Sequence, residues 1–173
     1  KSIKINPNFE NSHYQLSSIL FEQNKEQEAE TSLRKAIDVN PKFTEAHFNL
    51  GAILIDKDKL QEALFHTKKA INLMPSFGMA YSNCGLILQK LGDLDEAEDY
   101  CKKAITLQPK WAMGYINLGI IFLNQGKLKE AKNITLQGID IQPNIFEGYF
   151  NLSSILLKLG ELEKSISVME NAI

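Results

Sequence analysis

The sequence has few cysteines, little net charge and no long hydrophobic run, and each of these absences argues against a class of protein. Its 173 residues carry a net charge of −2, which favours neither nucleic acid nor an anionic membrane as a partner. No apolar run approaches the roughly 18 residues of a membrane-spanning helix. The two cysteines, Cys84 and Cys101, lack the short spacing of metal and redox motifs. We therefore expect no nucleic-acid partner, no membrane contact and a cytoplasmic location.

Proline is also scarce, but its placement is regular. The five prolines, each 34 residues after the last, are Pro7, Pro41, Pro75, Pro109 and Pro143. Isoleucine keeps the same period at Ile19, Ile53, Ile87, Ile121 and Ile155. Small residues keep it at Ser17, Gly51, Gly85, Gly119 and Ser153 and at Ala29, Ala63, Ala97, Ala131 and Ser165. A fixed period of this length is typical of a repeat protein whose units stack to bury their apolar faces.

Each repeat is predicted to contain two antiparallel helices. In the third repeat, Tyr81, Cys84, Gly85 and Leu88 recur at spacings of three and four, as on one face of a helix. A second apolar stripe follows, and between the two lies a residue type that tolerates a left-handed backbone. The residues at that position are Asn24, Asp58, Gly92, Gly126 and Gly160.

The repeat boundaries follow from the same columns. We place full repeats at 10–43, 44–77, 78–111 and 112–145, an incomplete fifth repeat at 146–173, and the end of a preceding repeat at 1–9. The whole of 1–173 is thus predicted to be a single array, an excerpt of a longer protein. At its ends we expect exposed apolar surface and end-to-end or edge-to-edge self-association. The apolar residues expected to be exposed at the C-terminal edge are Ile155, Leu162, Ile166 and Met169, and the N-terminal edge is covered only by the short segment that holds Ile3 and Ile5.

The repeat resembles the tetratricopeptide repeat (TPR). The residues that carry the likeness in the second repeat are Leu50, Gly51, Ala63, Ala70 and Pro75. The resemblance implies an all-α fold, a right-handed α-solenoid superhelix of stacked antiparallel helix pairs, with the first helix of each pair on the concave surface. It also implies a scaffold that binds an extended peptide or protein segment in the concave groove.

A column of side-chain amides lies on the first helices. It consists of Asn49, Asn83, Asn117 and Asn151, with Gln15 in the first repeat. An amide can donate to and accept from a peptide backbone, so the column predicts a peptide-binding ladder. The alternative is that these amides form hydrogen bonds within the array. Neighbouring candidates for the groove are Tyr14, Phe48, Leu86, Ile116, Ile120 and Phe150.

A narrower likeness suggests a second function. The asparagine column, together with the stretches "KLQEALFHTKKAI" and "PSFGMAYSNCG", is similar to the repeat arm of the O-linked N-acetylglucosamine transferases. That family uses the equivalent asparagines to hold substrate peptides. The alternative function is therefore the substrate-recruiting arm of a larger enzyme, most plausibly a glycosyltransferase. The cations of a carboxylate-clamp adaptor, another TPR type, are absent from the inner face.

Catalysis and cofactor binding are not predicted for these residues. We find no nucleophile–base pair, phosphate-binding glycine loop or paired acids on the groove. His13 and His47 occupy the column that holds Tyr81, Tyr115 and Tyr149, which predicts packing rings. His66 has no acidic or thiol residue at ligand spacing, so no metal site is expected. Cys84 and Cys101 lie in apolar columns and are expected to be buried free thiols.

Overall fold

The computed structural model describes residues 10–170, and all of its regular structure there is α-helical. The helices are α1 Glu10–Glu22, α2 Glu26–Val39, α3 Thr44–Asp56, α4 Leu60–Leu73, α5 Gly78–Leu91, α6 Leu94–Leu107, α7 Ala112–Asn124, α8 Leu128–Ile141, α9 Phe146–Lys158 and α10 Leu162–Glu170. The predicted all-α class is confirmed. The expectations for Ile3, Ile5, Pro7 and Ile173 fall outside the described residues.

Two compact units divide the chain, residues 1–83 and residues 84–173, with the boundary inside α5. In unit 1, α1 packs against α2, α2 against α3, and α3 against α4. In unit 2, α6 packs against α7, α7 against α8, α8 against α9, and α9 against α10, while α7 also contacts α9. Each unit therefore consists of helices that pack against their neighbours in sequence. None of the helices within 10–170 has the length and apolarity to cross a membrane.

The first helix of each repeat is followed within two residues by a residue with a left-handed backbone. The φ angle is 58° at Asn24 and 54° at Asp58, and it is 92°, 76° and 78° at Gly92, Gly126 and Gly160. The prediction for this column is confirmed. Asparagine, aspartate and glycine adopt this conformation at the least cost, and it lets the chain reverse within three or four residues.

Close approach of the two helices in a repeat depends on the small column. A Cβ atom added to Gly119 would collide with Thr135 Oγ1, and one added to Gly85 would collide with Cys101 Sγ. In the last repeat, Ser153 Oγ instead lies 2.8 Å from Ser165 Oγ. A larger side chain at these positions would force the helix pair apart.

The exposed apolar surface on α9 and α10 differs in part from the prediction. Leu162 and Ile166 are 58% and 53% exposed, as expected, and Met169 is half-buried. Ile155 is fully buried, so its predicted exposure is wrong. The reason is that α9 is covered by α8 on one side and by α10 on the other.

Candidate functional site

A cavity of about 260 Å³ opens between α1 and α3 in unit 1. Its apolar wall consists of Phe21, Leu33, Ala52 and Ile53. Its polar lining consists of Ser17, Ser18, Glu22, Asn49 and Asp56. Leu33 and Ile53 are buried, whereas Phe21 is 50% exposed. The cavity is thus closed at its base by core residues and bordered by accessible side chains.

Small side chains on both helices leave this space. Ser17 and Ser18 on α1 and Ala52 on α3 all line it. Ser17 Oγ donates to the Tyr14 carbonyl oxygen at 2.6 Å, so this hydroxyl is satisfied within its own helix. The two helices are joined beside the cavity by a hydrogen bond of 3.2 Å from Asn49 Nδ2 to Tyr14 Oη. This bond orients the amide and leaves its carbonyl oxygen and one N–H available.

The predicted amide column is not uniform. Asn49 is half-buried and lines the cavity, and Gln15 is exposed. Asn83 at the end of unit 1 and Asn151 in unit 2 are half-buried. Asn117 is only 7% exposed and already has an interaction partner within the protein. The amide of Asn117 is therefore engaged within the protein, whereas the amide of Asn49 borders an open cavity.

The predicted aromatic and aliphatic neighbours of the amides also differ in their contacts and exposure. Tyr14 packs on Phe43 with ring centroids 5.0 Å apart, and Phe48 packs on Phe77 at 4.6 Å. These contacts join α1 to the turn before α3, and α3 to the turn before α5. Phe43 and Phe77 were not predicted, although they share the 34-residue period with Trp111 and Ile145.

The structure contradicts the prediction that Ile116 lines the groove. It is fully buried in the core of unit 2, in one cluster with Ala112, Ile139, Ile145 and Leu152. Ile145 takes the place there that Phe43 and Phe77 take in unit 1. A ligand cannot reach Ile116 without opening this core.

The remaining predicted groove residues of unit 2 are accessible to different degrees. Leu86 and Ile120 are half-buried. Phe150 is 55% exposed and stacks on Phe146, with ring centroids 6.4 Å apart. These side chains present apolar surface, and the cavity that includes a predicted amide, Asn49, lies in unit 1.

The histidines of the second repeat form a buried pair. His47 Nδ1 lies 2.9 Å from His66 Nδ1, and His47 Nε2 lies 3.1 Å from the Pro41 carbonyl oxygen. Burial, with a smaller effect of the adjacent His47, lowers the pKa of His66 to about 4. Burial also lowers the pKa of His47. Within residues 10–170, no group of three or more His, Cys, Asp and Glu side chains could hold a metal ion.

Neither Cys84 nor Cys101 forms a disulfide, and both are fully buried in unit 2. Burial, with a smaller effect of Cys84, raises the pKa of Cys101 to about 12. A thiol that stays protonated is a poor nucleophile and a poor metal ligand. Both cysteines therefore act as small core residues.

Comparison with known families identifies the repeats. Family models described as tetratricopeptide repeat match residues 44–77, 79–110, 114–145 and 146–173. A further model, described as TPR repeat, matches residues 18–58. No curated protein matches the sequence.

Solved structures share the fold at low sequence identity. MamA residues 41 to the end, from Desulfovibrio magneticus RS-1, has a TM-score of 0.78 and 16% identity, over 94% of this chain and 92% of that one. TTC0263, a TPR protein of Thermus thermophilus, has a TM-score of 0.82 and 20% identity, over 94% and 89%. YrrB, described as a TPR protein with an unusual peptide-binding site, has a TM-score of 0.73 and 21% identity, over 100% and 89%.

Proposed function

Because the chain belongs to the tetratricopeptide repeat proteins, we propose that it is an interaction scaffold that binds an extended segment of a partner protein on its first helices. TPR proteins generally mediate contacts between proteins. The observation that carries the proposal is the cavity between α1 and α3, which combines an apolar wall with the amide of Asn49. The role proposed for these residues is the binding of a partner protein.

The amide of Asn49 would hold the peptide backbone. Its Nδ2 uses one hydrogen to bond Tyr14 Oη, which fixes the orientation of the group. The second hydrogen and the carbonyl oxygen can then pair with one N–H and one C=O of an extended segment. Such pairing is independent of the peptide's side chains, and the cavity beside it would receive one of them. A site fixed before binding loses little side-chain entropy when the ligand arrives.

YrrB supports a peptide ligand because it has the same fold and is described as having a peptide-binding site. The alternative, a substrate-recruiting arm of a glycosyltransferase, predicts a peptide on the same helices and rests on the sequence resemblance alone. Reading the sequence adjoining this segment for a catalytic domain separates the two. A reducing, cytoplasmic setting would suit the two free thiols.

A selection experiment tests the proposal. A library of random 12-residue peptides is displayed and selected on the 173-residue protein, and a selected peptide is added during hydrogen–deuterium exchange. We expect slower exchange in α1 and α3, with α2 and α4 little changed. Protection confined to α2 and α4, or a library that yields no binder, would contradict the proposed function.

A further inference from the structure

From the cavity and the charges around it we infer that unit 1 selects a particular class of peptide: one that places a hydrophobic side chain between lysine or arginine residues. This inference rests on the proposed function and adds the chemistry of the ligand. Three features of unit 1 support it, namely the size and wall of the cavity, the acidic residues at its mouth, and the distribution of cations.

The cavity has the size of one hydrophobic side chain. Its volume is about 260 Å³, larger than the roughly 150 Å³ of an engineered apolar cavity that binds benzene. Phe21, Ala52 and Ile53 would contact the inserted group. The hydroxyls and the amide lie around it, so an aliphatic or aromatic side chain would bury apolar surface while its backbone pairs with Asn49.

Two carboxylates stand at the mouth of the cavity. Glu22 is the last residue of α1 and Asp56 is the last residue of α3, and both are exposed. Neither forms an ion pair or a side-chain hydrogen bond with another residue of 10–170. Both therefore remain free to bind a cation from a ligand.

Their position at helix C-termini is unfavourable for the fold alone. The C-terminal end of a helix carries a partial negative charge, which favours lysine or arginine there and not an acid. In later repeats the same column does hold Lys90 and Lys158. An acid that breaks this local preference is typical of a functional site. The helix ends add to the negative potential of Glu22 and Asp56.

No cation on the same helices offsets this potential. The charged residues of α1 and α3, apart from histidine, are Glu10, Glu22, Glu45 and Asp56. The lysines and the arginine of residues 10–83 all lie on α2, on α4 or in connecting segments. Lys57, which follows Asp56, is ion-paired with Glu30 on α2 at 2.6 Å. By contrast, α7 in unit 2 carries no charged residue at all.

The peptide selection described above tests the inference when its sequences are compared. We expect the selected peptides to be enriched in hydrophobic residues flanked by lysine or arginine. The variant E22K/D56K introduces the residue type that Lys90 and Lys158 already provide at the same position in later repeats. It is therefore expected to fold, and circular dichroism checks this. It should bind a selected peptide about 10-fold more weakly. Each lost surface charge contact accounts for about 2- to 5-fold of this loss, and repulsion between the new lysines and the peptide adds to it.

A matched control makes the same change of net charge elsewhere. E28K/D38K replaces two exposed acids on α2 and should bind the peptide as the parent does. Raising the salt from about 0.05 M to 0.5 M should weaken binding by the parent more than by E22K/D56K.

The failures of the two proposals are distinguishable. Selected peptides without a bias toward lysine and arginine, or equal binding by E22K/D56K, would overturn the inference while leaving peptide binding in place. A selection that yields no peptide would overturn both.

Discussion

His47 Nδ1 and His66 Nδ1 lie 2.9 Å apart in the buried interior of the second repeat. The carbonyl oxygen of Pro41 can only accept, so His47 Nε2 must carry the hydrogen of their 3.1 Å contact. Burial lowers the pKa of both histidines, which favours the neutral form of each ring at pH 7. In a neutral His47 ring Nδ1 is then an acceptor, and His66 Nδ1 donates to it. Tyr115 and Tyr149 donate to Pro109 and Pro143 in the same way, at 3.0 and 2.7 Å.

We predict that this histidine pair makes the protein less stable in weak acid. The folded-state pKa of His66 is about 4, below the unfolded value of about 6.5. Between these values the unfolded chain binds protons that the native state excludes, so stability falls as the pH decreases from about 6.5 toward 4. Lys69 and Arg34 oppose protonation, and Glu62 favours it.

A variant built from the chain's own repeats removes the effect. H47Y/H66I copies Tyr115 and Ile134, which occupy these positions in the fourth repeat. Its urea midpoint should change less between pH 7 and pH 5 than that of the parent. H13Y alters the same column and leaves the pair intact, so it serves as the control. A double variant with the parent's pH dependence would show that the pair is not its source.

Substitution by valine should affect the free energy of unfolding differently at two threonines that occupy equivalent positions in the second and fourth repeats. Thr67 Oγ1 donates to the Ala63 carbonyl oxygen at 2.8 Å, whereas Thr135 Oγ1 is buried without a hydrogen-bond partner within residues 10–170. T67V should cost about 1 kcal/mol because it removes a hydrogen bond, and T135V should be neutral or stabilising by up to about 1 kcal/mol. Urea unfolding measures both. A loss of stability in T135V equal to that in T67V would contradict this.

The same ion pair occurs twice in unit 2 with its charges exchanged. Glu98 Oε2 lies 2.9 Å from Lys127 Nζ, and one repeat later Lys132 Nζ lies 3.2 Å from Glu161 Oε1. Hydrogen bonds from Lys102 and Lys127 lower the pKa of Glu98 to about 2. We predict that E98K and K127E each destabilise the protein through like-charge contacts, and that E98K/K127E recovers part of the loss. A double-mutant cycle checks this, and strictly additive losses would refute it.

Asn49 and Asn117 should separate binding from stability. N49A removes the amide beside the cavity, so it should weaken the binding of a selected peptide by about 1 kcal/mol, or roughly 5-fold in affinity, with a small effect on folding. N117A removes an amide that is 7% exposed and already has an interaction partner within the protein, so it should lower the unfolding midpoint. Fluorescence polarisation and urea unfolding measure the two effects. Equal peptide affinity of N49A and the parent would remove Asn49 from the site.

The sequence by itself determined the period, the two helices of each repeat and the residues at which the first helices end. These features depend on local physics. The spacing of apolar residues determines a helix face, and only a few residue types tolerate the left-handed backbone found at Asn24, Asp58 and Gly92. The small column was equally readable, because close packing at Gly85 and Gly119 leaves no space for a side chain.

Only the tertiary structure decided which residues of the inner face a ligand can reach. Position on a helix gives the direction of a side chain but not what the next repeat places over it. Asn49 and Asn117 occupy the same column of the sequence, yet Asn49 lines a cavity and Asn117 is buried. Ile116 is likewise covered by Ile145, a contact 29 residues away in the chain. Accessibility depends on how closely two helices pack, and that is settled by side chains contributed from several helices together.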